Sequence, residues 1–126
     1  MNRFARRVYT IAGVYGLIVM LPQFFLYDRI GRDNPPAITH PEYFYGFVAT
    51  VLVWQIAFLV IARAPERHRA LMPVTVLEKL AFVVPVAILF AQGRVAAPTL
   101  FFAGIDLLLG ALFFVAWQKT ADSVTR

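Results

Sequence analysis

Residues 98–117 read PTLFFAGIDLLLGALFFVAW. About twenty residues at ~1.5 Å each make a helix of roughly 30 Å, the thickness of a bilayer's hydrocarbon core. The stretch holds one ionisable group, Asp106, close to its centre. A carboxyl there is costly, roughly 2.5–3.5 kcal/mol on insertion scales, and aspartate is too short to snorkel to the surface. Asp106 is therefore expected to face other helices, hydrogen-bonded or protonated. Phe102, Ala103, Leu109, Gly110 and Phe113 share its face at helical spacing, and Gly110 invites close approach of a neighbouring helix.

Working outward, three more apolar stretches of similar length come into view, at residues 8–27, 43–62 and 74–92. The predicted fold is all-α, an integral membrane four-helix transmembrane bundle that forms a single domain over residues 1–126. The composition agrees. The chain is 60% hydrophobic and 15% charged, with a mean hydropathy of +0.70, against about 45–50% apolar and about 25% charged in soluble domains. That excludes an ordinary soluble enzyme, a disordered tail and a nucleic-acid-binding module. No cysteine is present, which excludes disulfides, thiolate chemistry and iron–sulfur clusters. The net charge of +5 fits a membrane flank, since no basic stripe with interleaved aromatics accompanies it.

Arg3, Arg6 and Arg7 before the first apolar run resemble the basic start of a signal peptide. The run is too long for one and no small-residue cleavage site follows, so a retained helix is expected. Arg3, Arg6, Arg7, Arg63, Arg67, Arg69, Lys119 and Arg126 fall on one side of the membrane, and Arg29, Arg32 and Arg94 on the other. The positive-inside rule then places both termini and the loop at 63–73 in the cytoplasm of a multi-pass membrane protein. Tyr27, Tyr43 and Tyr45 mark the outer interface and Trp117 the inner one. The long connection 28–41 is expected to be non-helical around Gly31-Arg32-Asp33-Asn34-Pro35-Pro36. Pro22 and Pro85 are expected to kink the first and third spans.

Candidate ligand-binding residues are the polar groups of the spans: Asp106, Gln55, Glu78, Tyr15 and Gln23. Gln55 or Tyr15 is the expected partner of Asp106, giving a small polar pocket. Glu78 has two readings. Thr75-Val76-Leu77-Glu78 fits a capping box that starts the third helix at Thr75. A helix starting at Pro73 instead carries Glu78 into the membrane, toward an arginine or a ligand. Lys79 is expected to snorkel to the inner leaflet. The basic loop RAPERHRALMP at 63–73 reads as topology and headgroup contact. His40 and His68 lie on opposite sides, so no metal site is expected. No nucleophile motif or dinucleotide fingerprint occurs, and no catalytic residue is assigned.

The stretch His40-Pro41-Glu42-Tyr43-Phe44-Tyr45-Gly46-Phe47, with Trp54-Gln55, Arg63 and Glu78-Lys79, resembles the DoxX-like group of small bacterial four-helix membrane proteins, over about residues 8–118. Some members are found beside redox enzymes. The resemblance implies an accessory or lipophilic small-molecule-binding bundle and carries over no site residue. No cofactor is expected, with a quinone or a lipid as candidate ligand. Expected partners are membrane lipids and a second copy or a larger membrane complex. Two alternatives stand beside it. One is a proton-coupled transporter acting as a dimer, similar to the small multidrug resistance transporters in length, helix number and a membrane carboxylate. Theirs lies in the first helix, where this chain has none before Asp28. The other is a membrane isomerase using Glu78 and Asp106, which the spans place roughly 9 Å apart along the axis, far for one substrate atom.

Overall fold

The computed structural model describes residues 2–125, with side chains through 121; Arg126, counted above among the basic residues, lies outside them. The fold is all-α, as expected. The elements are α1 (Arg3–Met20), a 3-10 turn (Leu21–Phe25), α2 (Tyr27–Asp33), α3 (Pro41–Arg63), a second 3-10 turn (Arg69–Leu71), α4 (Met72–Ala91) and α5 (Ala97–Thr125). Four segments are long and apolar enough to cross a membrane: Arg3–Phe25, Pro41–Arg63, Arg69–Ala91 and Ala97–Ala121. Large side chains on all of them stay uncovered, among them Ile18, Val53, Leu77 and Phe101. Water is a poor solvent for such a surface and a hydrocarbon core a good one.

The first span begins earlier than the hydropathy pattern predicts, because Asn2 caps it. Its Oδ1 accepts from the Ala5 amide at 3.0 Å and its carbonyl from the Arg6 amide, satisfying donors a helix start otherwise leaves open. Pro22 does not kink a continuous helix. The α-helix stops at Met20 and Pro22 sits at the start of the 3-10 turn, where its missing N–H breaks no α-helical bond. Pro85 does lie inside α4.

The connection after the first span also departs from expectation, since residues 27–33 are helical. Arg29 and Asp33 pair across one turn at 3.5 Å, and the Tyr27 hydroxyl donates to the Ile38 carbonyl at 2.7 Å. Gly31 lets the returning backbone at Ala37–Ile38 come close; a Cβ there would stand 3.2 Å from it.

The chain divides into two compact units, Thr10–Val60 and a second made of Met1–Tyr9 with Ile61–Arg126. In the first, α1 and α3 meet at glycines. A Cβ on Gly13 would stand 2.7 Å from the Leu59 side chain and 2.9 Å from the Gln55 carbonyl. One on Gly16 would stand 1.8 Å from Gln55 Oε1. Close approach of this kind is how small residues hold membrane helices together. The small residues Ala12 and Gly16 on α1 are buried, whereas Ala87 and Ala91 on α4 are exposed.

In the second unit, α4 and α5 form a helical hairpin. Gly93 closes α4 at φ +70. Its amide donates to Phe90 O at 2.9 Å and the Arg94 amide to Leu89 O at 2.8 Å, the paired bonds of a Schellman motif. The hairpin's inner face is Thr75, Lys79 and Val86 on α4 with Ala103, Leu109, Phe113, Ala116 and Thr120 on α5. Phe102, placed on that face by spacing, is 42% exposed. The Tyr9 ring stacks on Phe113 at 4.3 Å, and its hydroxyl shares a hydrogen bond with Thr75 Oγ1 at 2.8 Å. At the end of the unit that carries the basic loop, Arg69 Nε donates to Trp117 O at 3.2 Å and its guanidinium lies over the Trp117 ring. The Asn2 amide donates to Glu66.

Candidate functional site

Three ionisable side chains meet in the α4–α5 hairpin: Glu78, Lys79 and Asp106. Helix geometry sets their depth. Asp106 is nine residues into α5, about 14 Å at ~1.5 Å per residue, which is half of a ~30 Å core. Glu78 and Lys79 lie in the second turn of α4, because that helix starts at Met72. The capping-box reading therefore fails. Thr75 is inside the helix, with its hydroxyl donating back to Met72 O at 2.6 Å.

Lys79 does not snorkel. It is 4% exposed, with its ammonium 3.5 Å from Glu78 Oε2 and 3.5 Å from Asp106 Oδ1. The sequence offered Gln55 or Tyr15 as the partner of Asp106; the structure gives Lys79. The carboxyls that counting along the spans separated by roughly 9 Å reach the same nitrogen. Lys79 follows Glu78 in the chain, and its four-carbon stem holds the ammonium between Glu78 and Asp106. Gly110 makes room, because a Cβ there would stand 3.3 Å from Lys79 Cβ. The close approach foreseen at Gly110 is thus an approach of α4 at the lysine itself.

The cluster's chemistry follows from its distances and charges. A well-made ammonium–carboxylate bond is about 2.7–2.9 Å, so both contacts are long and Lys79 is fully closed on neither carboxyl. Glu78 Oε2 is buried and makes no hydrogen bond. Two carboxyls share one ammonium where water is scarce and charges interact strongly. The Glu78 and Asp106 side chains keep 12% and 21% exposure. The ammonium is therefore the most enclosed member of the cluster and Asp106 the most open.

The other candidates belong to the Thr10–Val60 unit. Gln55 is 1% exposed. Its Nε2 donates to Val51 O at 2.8 Å, while its Oε1 makes no ordinary hydrogen bond. That oxygen lies against Gly16, whose Cα hydrogens are the weak donors met at close helix contacts. Gln23 donates back to Val19 O at 3.3 Å and to Met20 Sδ at 3.3 Å. Tyr15 is half-buried on α1. Glu78 and Asp106 are the candidates brought together. Lys79, their common partner, was missed as a site residue, although an intramembrane lysine next to a glutamate is itself a signal.

Among the described residues no group of three or more histidines, cysteines or carboxylates could hold a metal ion. Compared with models of known protein families, with curated proteins and with solved structures, the chain matches none.

Proposed function

We propose that the protein is an accessory membrane protein of the DoxX-like kind that binds a lipophilic small molecule at the Glu78–Lys79–Asp106 cluster. In this reading it is a protein of the bacterial inner membrane with both termini in the cytoplasm. The observation that carries it is the buried cluster of two carboxyls about one ammonium, with Lys79 3.5 Å from each carboxyl and Glu78 Oε2 making no hydrogen bond. Buried ion pairs gain little stability over apolar residues of the same volume, and intramembrane charges mark ligand or ion sites by default. A molecule reaching this depth arrives through lipid, so its body is apolar and its polar end meets the cluster.

The test is native mass spectrometry of the protein released from lipid nanodiscs. A small molecule retained by the wild type and lost in Asp106→Leu supports the reading and gives the ligand's mass. If Asp106→Asn and Asp106→Leu both leave retention and thermal stability unchanged, the cluster is not a ligand site.

The surplus of one carboxyl over the ammonium favours a second reading, a proton-coupled transporter acting as a dimer, with the spare carboxyl carrying the transported proton. Proteoliposomes under an imposed pH gradient would then take up protons with a substrate, and Glu78→Gln or Asp106→Asn would uncouple the two fluxes.

A further inference from the structure

The chemical class of the ligand can be drawn from the same cluster, on the reading that it is a binding site. We propose that the ligand's polar end is a cation with N–H donors, an ammonium on an apolar body, and that it docks against the Asp106 and Glu78 carboxyls.

Three observations converge. The first is the charge count. Among the described residues, Glu78 and Lys79 are the charged side chains of α4, and Asp106 is the one on α5 before Lys119. Two acids therefore face one base, and one incoming cation balances them. The second is geometry. Lys79 stands 3.5 Å from both Glu78 Oε2 and Asp106 Oδ1, beyond the ~2.7–2.9 Å of a charge-assisted bond. A cation that takes over one carboxyl lets the lysine close on the other, so binding completes contacts the cluster leaves long. The third is access. Lys79 is 4% exposed, while the Glu78 and Asp106 side chains keep 12% and 21%, with Glu78 Oε2 itself buried. Asp106 is thus the most open member of the cluster and the ammonium the most enclosed. A quinone, whose carbonyl oxygens only accept, would have to compete with both carboxyls for the one enclosed ammonium. An ammonium has three donors for the carboxyls.

The depth agrees with an amphiphile. Phe102, one turn before Asp106 on α5, is 42% exposed, and an aromatic face beside a carboxyl suits an ammonium on a hydrocarbon stem.

The experiment sets dodecylamine against decylbenzoquinone, two probes of similar chain length. Each is offered to the intact protein in nanodiscs, with empty nanodiscs as the partition control, and bound probe per protein is counted by native mass spectrometry. Wild type is expected to retain dodecylamine at least tenfold more than the quinone. Asp106→Asn and Glu78→Gln, which keep shape and lose charge, should each lower amine retention about tenfold, and Asp106→Glu should restore most of it. If the quinone is held and the amine is not, with quinone binding lost in Asp106→Asn, the cation class is overturned while the binding site stands. Failure of wild type to hold either probe or any native molecule sinks the site itself. Amine retention that is equal in wild type and both charge-removing variants reflects partition into lipid and overturns the proposal.

Discussion

Replacing Lys79 by methionine leaves Glu78 and Asp106 facing a vacated ammonium position in a medium that solvates charge poorly. Replacing Asp106 by asparagine leaves the lysine with Glu78 as its partner. Breaking a buried pair by removing one member costs about 3–5 kcal/mol, and the lysine is the member both acids share. Lys79→Met should therefore lower stability by more than Asp106→Asn, and adding Asp106→Leu to Lys79→Met should recover part of the loss. Denaturant titration in bicelles reads all three; a Lys79→Met variant as stable as wild type would show that the cluster has no structural role. Asp106 was legible in the sequence because one carboxyl in an apolar run stands out. Its partner was not, because snorkelling explains a lysine near a helix end equally well. The choice between the two depends on which way α4 turns its face, and hydropathy averaged over a span carries no such angle.



At the scale of elements, the α1–α3 contact rests on two hydrogen atoms where other residues carry a Cβ. Gly13→Ala would press on the Gln55 carbonyl, a backbone atom that cannot swing away, and Gly16→Ala would displace the Gln55 amide. Overpacking of this kind typically costs about 1–3 kcal/mol. Gly46→Ala and Gly104→Ala, where nothing lies within 4 Å, should be neutral or stabilising, since alanine favours a helix by roughly 0.5–1 kcal/mol over glycine. Thermal melts of the four variants in one detergent check the contrast; equal losses at all four positions would remove the close-contact account. Helix existence was readable from length and hydropathy alone, and the four spans lie where those place them. The ends were less so. Asn2 is a good capping residue, but its role shows only once the chain at Ala5 turns back over it. The helix at Tyr27–Asp33 has too few residues for a periodic signal and depends on the Tyr27–Ile38 bond and the close pass at Gly31. Tertiary contacts of that sort outweigh local turn propensity.

For the whole molecule, the basic residues give a direction that labelling can test. The chain has no cysteine, so single cysteines introduced at exposed Asn34 and Ala70 report one side each. In intact bacteria a membrane-impermeant maleimide should label Asn34→Cys, and should reach Ala70→Cys only after the cells are opened. The reverse pattern would overturn the orientation drawn from the arginines. The hairpin also bears on how the chain enters the bilayer. An isolated α5 would carry Asp106 into hydrocarbon unaccompanied, at roughly 2.5–3.5 kcal/mol, while its counter-charge sits on α4. Only residues 92–96 separate the two helices, and a ribosome adding about 5–20 residues per second delivers the second within seconds of the first. The tight Gly93 turn thus does more than close a helix: it keeps the waiting time short, so that α4 and α5 can leave the insertion machinery as a charge-matched pair.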